Sequence, residues 1–414
     1  MTDKAPFPGE PSSWAKFWSL DQTITFLNHG SYGACPVPVM EAQQRLRSQL
    51  ERQPLRFFMR EFEALLDSAR RQLAAFVGGD ADELVFVPNA TTGVNSVLRS
   101  LSFNPGDELL TTNQEYNACR NAFNFVAQCT GAKVVVATVP FPLESPNQVV
   151  EAVIERVSPK TRLALLDHVT SQTALIFPMQ QLVSQLSALG VDTLVDGAHA
   201  PGMVPLNLHE IGATYYTGNC HKWLCAPKGA GFLYVQRDKQ SAIHPLTISH
   251  GANAPLKVRD SFGDTPLTRF QLEFDWTGTD DPTAYLCIPE AIRFLGSLLP
   301  GAWSELMEQN RAKALLARQI LCEALGVSPP CPTEMIGSMV VVPLPDKLAF
   351  YEQSGQPRGW PVVQEKLFKR FNIEVPVIPW TTPFQQMVRV SAQLYNTPEQ
   401  YEYLAMALLK LLSD

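Results

Sequence analysis

Residues 192–202 read DTLVDGAHAPG, and residues 219–235 read NCHKWLCAPKGAGFLYV. The first is a short apolar strand that stops on a carboxylate, Asp196. Gly197 and Ala198 follow at once and let the backbone run close to something flat. The second carries Lys222 among apolar neighbours (Cys220, Trp223, Leu224) and turns at Gly229 and Gly231 into another apolar strand. A strand that ends in an acid, followed by a loop that offers a lysine, is the pair of features around which the rest of the chain is read.

Upstream, short apolar runs alternate with stretches of helical spacing. Strands are expected at 83–87, 107–111, 133–137, 162–166, 192–195, 214–217 and 231–235, with helices at 65–77, 92–101, 116–129, 149–157 and 179–189. Apolar strands alternating with helices predict a mostly parallel seven-stranded sheet covered on both faces, an α/β fold. After residue 290 the texture changes. Helices are expected at 289–298, 303–325, 360–371 and 398–412 around strands at 338–343 and 387–391, which reads as a smaller α+β domain. The expected organisation is an N-terminal segment 1–25, a large domain 26–290 and a small C-terminal domain 291–414.

In parallel sheets, ligands bind beyond the carboxyl ends of the strands. Three such ends carry chemistry. Ala90, Thr91 and Thr92 follow the strand VFV and open a helix, whose free N–H groups and partial positive charge suit a phosphate, although a plain threonine cap would look the same. Asp196 sits where desolvation opposes its charge, so it needs a cationic partner or a turn to cap. A protonated pyridine nitrogen is such a partner. His199, three residues on, is either a satisfied core histidine or a group that reaches a ring hydroxyl. Lys222 enters an apolar setting, and burial makes the neutral, nucleophilic amine available. The order is specific: a phosphate loop, the aromatic candidate Tyr116, the strand-end Asp196, then His221 and Lys222.

Composition narrows the field. The chain has 414 residues, 33 basic against 40 acidic side chains and a net charge of −7, with no long basic run. Nucleic acid and anionic membrane are therefore not expected as partners. No run of about 18 apolar residues appears, and the first residues lack a secretory pattern. The eight cysteines form no CxxC and no zinc spacing. Free thiols, a reducing cytoplasmic setting and no metal site are expected.

The motifs FLNHGSYGACP (26–36), VPNATTGVN (87–95), NQEYNAC (113–119), VDGAHAPG (195–202), NCHKWLCAPKGAGFLYV (219–235), DWTGTDDP (275–282) and VRVSAQLYNT (388–397) together resemble the class V aminotransferase family of fold-type I pyridoxal 5′-phosphate (PLP) enzymes. The resemblance spans residues 22 to 400 and looks closest to the isopenicillin N epimerase-like branch. It implies the fold-type I PLP-transferase fold and, residue by residue, a set of roles. Lys222 matches the Schiff-base lysine and Asp196 the partner of the pyridine nitrogen. His199 and Ser171 match positions near the ring hydroxyl. Ala90, Thr91 and His221 match phosphate ligands, with Thr92 beside them, and Tyr116 matches the aromatic that stacks on the cofactor. Arg389 matches the arginine that clamps a substrate carboxylate, for which a guanidinium fork is suited. Asn28, His29 and Tyr32 fall in the N-terminal motif at the substrate side. By the same resemblance the enzyme is a homodimer with sites at the interface, where Thr279 reaches the partner's phosphate.

Cysteine desulfurases of this class carry a nucleophilic cysteine shortly before the carboxylate-binding arginine. Residues 372–388, NIEVPVIPWTTPFQQMV, contain none, which disfavours persulfide chemistry. The remaining expectation is chemistry at the α-carbon of an amino acid substrate. Epimerisation with a second acid from Tyr32, His29 or Tyr116 leads, and C–S lyase chemistry or transamination is the alternative. A non-enzymatic PLP-binding protein is disfavoured by the joint presence of Lys222, Asp196 and Arg389.

Overall fold

The computed structural model describes residues 9–256, 267–348, 361–380 and 386–413. Its strands are β1 (Thr25–Phe26), β2 (Leu84–Val87), β3 (Glu108–Thr112), β4 (Lys133–Ala137), β5 (Thr161–Asp167), β6 (Asp192–Gly197), β7 (Tyr215–Asn219), β8 (Gly231–Val235), β9 (Met339–Pro343), β10 (Ile373–Glu374), β11 (Val377–Pro379) and β12 (Gln386–Ser391). Seven of them form one sheet in the order β2-β8-β7-β6-β5-β3-β4. Strands β4, β3, β5, β6 and β7 pair in parallel, and β8 runs antiparallel to both β7 and β2, so β8 alone is reversed. The expected mostly parallel seven-stranded sheet is present.

Alternation along the strands builds two layers of core. Leu84, Phe86, Leu110, Ala164, Leu166, Val195 and Tyr216 join a cluster with the helix Phe62–Val77 and the helix Met179–Ala188. Val85, Val87, Leu109, Leu163, Leu165, Leu194 and Tyr215 face the other way, onto Ala90–Ser100 and Asn117–Thr130. Successive side chains of a strand point to opposite faces, so a strand that reads as continuously apolar is one covered on both sides. The helices Phe62–Val77 and Asn117–Thr130 both end on a left-handed glycine, Gly78 and Gly131, which returns the chain to the sheet.

A three-stranded antiparallel sheet, β11-β12-β9, lies toward the C-terminus, backed by the 24-residue helix Ala302–Leu325 and the helix Pro398–Ser413. The start of the chain is stitched to this part: β1 pairs with β10, and Asn28 bridges to Ser391. The helix Ile288–Gly296, at the expected boundary near 290, packs on Val37–Arg52 and Phe62–Val77. Among the described residues, no helix is long and apolar enough to cross a membrane. All eight cysteines are unpaired.

Candidate active site

The carboxyl ends of β2, β3, β5, β6 and β7 deliver the polar residues of the site. In the strand order, β6 with Asp196 lies between β7, which leads to Lys222, and β5 and β3, which lead to Ser171 and Tyr116. Lys222 and Tyr116 therefore follow strands that lie on opposite sides of the strand carrying Asp196. Gly197 is required here, because a side chain at this position would run into the ring of Tyr216 on the neighbouring strand.

The Lys222 amine lies 3.0 Å from His199 Nε2, and the Trp223 indole N–H donates to His199 Nδ1 at 3.3 Å. An indole nitrogen can only donate, so His199 Nδ1 is the bare nitrogen and Nε2 carries the proton. The amine of Lys222 must then accept, which it does only when neutral. Electrostatics move the amine toward that neutral form. Burial brings the Lys222 pKa down to about 8, and Asp196 offsets only part of that. Burial first, and the Lys222 charge second, hold His199 well below the ordinary imidazole range. His199 thus sits on the lysine rather than standing as an isolated core histidine.

Asp196 is 2% exposed. One carboxylate oxygen accepts the Ala198 backbone N–H at 2.9 Å, and the other accepts the Cys119 thiol at 3.1 Å. Two more buried acids lie close by, Glu115 and Asp167. Neither they nor Cys119 stood out in the sequence. The available signal was that β5 also ends on an aspartate, in register with Asp196.

The helix Ala90–Ser100 opens at the edge of this group. Its cap is Asn89, whose side chain accepts the Thr92 N–H at 2.9 Å, rather than a threonine. The Ala90 N–H is taken by the Asn219 side chain at 2.8 Å. An incoming phosphate would therefore meet the Thr91 end of this turn. His221 bonds the Ala230 carbonyl through Nδ1 at 3.1 Å, and burial lowers its pKa to about 4.

Arg389 is 3% exposed, and burial brings its pKa down to about 10. Its guanidinium donates to the Ser171 backbone oxygen, to Ser171 Oγ at 3.3 Å and to Ser31 Oγ at 2.9 Å. Ser31 in turn donates to Asn28 Oδ1 at 2.5 Å. Among the described residues no carboxylate pairs with Arg389, and its Nε has no partner. A buried cation without a counter-ion is costly unless a ligand supplies the charge. Ser31 is a further residue that sequence reasoning passed over.

The other N-terminal candidates separate. His29 is fully buried, with one ring nitrogen 2.9 Å from the Tyr395 hydroxyl and the other 3.1 Å from the Lys222 carbonyl. Burial lowers its pKa to about 3. It holds the lysine loop from behind. Tyr32 is 75% exposed and Tyr116 is 42% exposed. Thr279 stands outside the group, exposed in the 277–281 loop. That loop borders a cavity of about 480 Å³ lined by Thr92, Ser96, Lys228, Trp276 and Tyr285. The cavity touches the helix start but not Lys222, so the chemistry rather than the size of the opening locates the site.

These residues fit PLP. The buried Asp196 carboxylate would take a cationic nitrogen, the Lys222 amine would meet an aldehyde, the helix N-terminus would take a phosphate, and Arg389, with no carboxylate partner among the described residues, would take a substrate carboxylate.

Comparison with known proteins agrees. The family model "Aminotransferase class-V" matches residues 34–323. The chain is 35% identical over 398 residues to the isopenicillin N epimerase of Streptomyces clavuligerus, covering 94% of this chain and 95% of that one. It is 31% identical over 434 residues to putative L-cysteine desulfhydrase 1 of Oryza sativa subsp. japonica, covering 97% and 86%. A solved mutant of C-DES, with glycine covalently linked to the PLP cofactor, superposes with a TM-score of 0.79 at 20% identity, covering 97% of this chain and 99% of that one. With the family model matching most of its length and relatives above 30% identity along nearly all of it, the chain belongs to the class-V aminotransferase family.

Proposed function

We propose that this chain is an amino acid epimerase of the isopenicillin N epimerase kind. The cofactor is PLP. Lys222 is the residue that would tether it, Asp196 would hold its ring nitrogen, and the turn at Thr91 with His221 would hold its phosphate. When bound, it supplies an electron sink for charge at the α-carbon.

The protein's own residues divide the remaining work. Arg389 takes the substrate carboxylate, oriented by Ser31 and Ser171. The neutral Lys222 amine removes the α-proton, and His199 Nε2–H keeps that amine pointed and uncharged. Tyr116 delivers a proton from the other side. Its pKa is raised by burial first and the Cys119 charge second, so its phenol stays protonated as a donor. The single observation that carries the reading is the placement of Lys222 and Tyr116 on opposite sides of Asp196 in the strand order. His29, fully engaged behind the lysine loop, is unsuited to the second-acid role.

The test is to give the purified holoenzyme single enantiomers of amino acids in deuterated buffer. The expected products are inverted amino acids that carry deuterium at the α-carbon. Tyr116→Phe should retain α-proton exchange while losing inversion, and Lys222→Ala should lose both. Release of pyruvate and ammonia from cysteine conjugates without inversion would instead establish C–S lyase chemistry. That second reading is favoured by the desulfhydrase relative and by the fact that one base, Lys222, suffices for it.

The working form is a homodimer in this reading. Leu246 and Ile248 are exposed apolar residues, Leu246 lines the cavity, and Thr277, Gly278 and Asp280 beside Thr279 line it too. A second copy seated there would cover them.

A further inference from the structure

The strand ends bring more acid together than the proposed chemistry uses. Asp167 and Asp196 are paired positions on the parallel strands β5 and β6, so their side chains leave the sheet on the same face, and both are buried. Thr111 on β3 belongs to that face too, and the helix Asn117–Thr130 covers it with Cys119. Oxygen or sulfur atoms of Glu115, Cys119 and Asp196 all lie within 4.8 Å of one another. Three carboxyl groups and a thiol thus share a pocket without solvent.

The donors are too few for three anions. Asp196 receives two, from Ala198 and Cys119. Glu115 receives one, from the Thr111 hydroxyl at 3.2 Å, and its other oxygen has no partner. Asp167 receives the backbone N–H of Tyr116 and its own backbone N–H, and its Oδ2 has no partner. A buried carboxylate commonly gathers several donors, and an unsatisfied charged oxygen costs far more than an unsatisfied neutral one. The cations within reach do not make up the difference. The Lys222 amine bonds His199 and is moved toward its neutral form by burial, Arg389 lies toward Ser31 and Ser171, and Arg120 reaches Glu115 only from the half-buried outer side of its helix.

We propose that Glu115 and Asp167 are positioning residues held as neutral carboxylic acids, so that Asp196 is the single anion of the cluster and is matched one to one with the ring nitrogen of the cofactor. The inference rests on the reading of Asp196 as the partner of that nitrogen. The electrostatics run the same way. Burial first, and then the neighbouring carboxylates, raise both Glu115 and Asp167 well above the ordinary carboxyl range. Through the Tyr116 N–H, Asp167 also fixes the start of the helix that presents Tyr116. One protonated side chain thereby sets both the charge beneath the ring and the placement of the phenol beside it.

The test is infrared spectroscopy of the carbonyl stretch of protonated carboxyl groups, together with PLP titration and metal analysis of the purified protein. Wild type should show buried carboxylic acid bands that persist between about pH 6 and pH 8. Asp167→Asn and Glu115→Gln should each remove part of the band. Each should keep cofactor affinity within about threefold, because a neutral amide replaces a neutral acid. Asp196→Asn should keep the band and weaken the cofactor by more than about tenfold. Absence of the band in folded wild type would overturn the proposal. So would loss of affinity in Asp167→Asn or Glu115→Gln comparable to that in Asp196→Asn, or a stoichiometric divalent cation bound at the cluster. If a variant fails to fold, the wild-type band decides alone. If wild type takes up no PLP, the cofactor reading fails while the band still decides the protonation of the two acids.

Discussion

Removing one indole N–H should change the pH at which this protein captures its cofactor. Trp223→Phe deletes the donor that leaves His199 Nδ1 bare and so directs the Nε2 proton toward the Lys222 amine. In wild type the amine titrates near 8, against an ordinary lysine value of 10.5. Only the neutral amine attacks an aldehyde, so capture by the apoprotein should rise about tenfold per pH unit below 8 and level off above it. The same depression makes the unfolded chain bind more protons than the folded one between pH 8 and 10.5, so the apoprotein should gain stability from this group as pH rises through that window. Loss of a hydrogen bond worth about 1 kcal/mol lets His199 rotate its proton to the other nitrogen. The support for the neutral amine falls by that amount, and the midpoint should move up by about 0.7 pH unit. The assay is borohydride trapping of PLP on apoprotein across a pH series, with the modified peptide containing Lys222 quantified by mass. A wild-type profile still climbing at pH 10, or a Trp223→Phe midpoint that moves down, would refute the hydrogen-bond polarity assigned to the triad.

Three other outcomes are expected. Arg389→Lys replaces a fork with a point charge and should raise KM for an amino acid by about 10- to 100-fold, corresponding to about 1.5–3 kcal/mol, with a smaller change in kcat; steady-state kinetics decide it. Asp275→Asn removes one partner of the ion pair with the fully buried Arg70 side chain and should cost about 3–5 kcal/mol in chemical denaturation. His29 and His168 are buried with pKa values lowered to about 3 and about 4, against 6.5 when unfolded, so the unfolded chain binds the extra protons in that window. Their contribution is complete above pH 6.5 and is lost as pH falls, with a slope of up to about 3 kcal/mol per pH unit that denaturant midpoints between pH 7 and pH 5 should reveal.

Strand positions were legible because the main-sheet strands, apart from the half-buried edge strand Lys133–Ala137, are buried on both faces, which writes an apolar run. Lys133–Ala137 and Gly231–Val235 stand where the pattern put them, and the others differ by one or two residues. The helix Val37–Arg52 was not legible, because only Val39 and Gln43 are buried along it and no apolar stripe results. Strands β1 and β10 are two residues each and depend on partners some 350 residues apart, which no local pattern records. Within the site, residue types at strand ends announced Asp196 and Lys222. The residues that surround the site were hidden: Trp223 reads as core, Ser31 as part of a turn, and Asp167 as the last residue of a strand. Each acquires meaning only from a neighbour on another element.

Gly33 has φ 70 and lies against the backbone of His221 and Lys222, where any side chain would collide. Four residues earlier His29 grips the Lys222 carbonyl, and between them Ser31 holds Arg389. The segment 28–33 is therefore a keystone wedged between the amine that reacts and the guanidinium that orients. The two cannot drift apart independently, so, in the proposed reading, the spacing between proton acceptor and carboxylate anchor would be a fixed gauge for the length of an α-amino acid. Adjustment to different substrates would fall instead to the solvent-facing rim at Tyr32, which can be varied without disturbing that gauge.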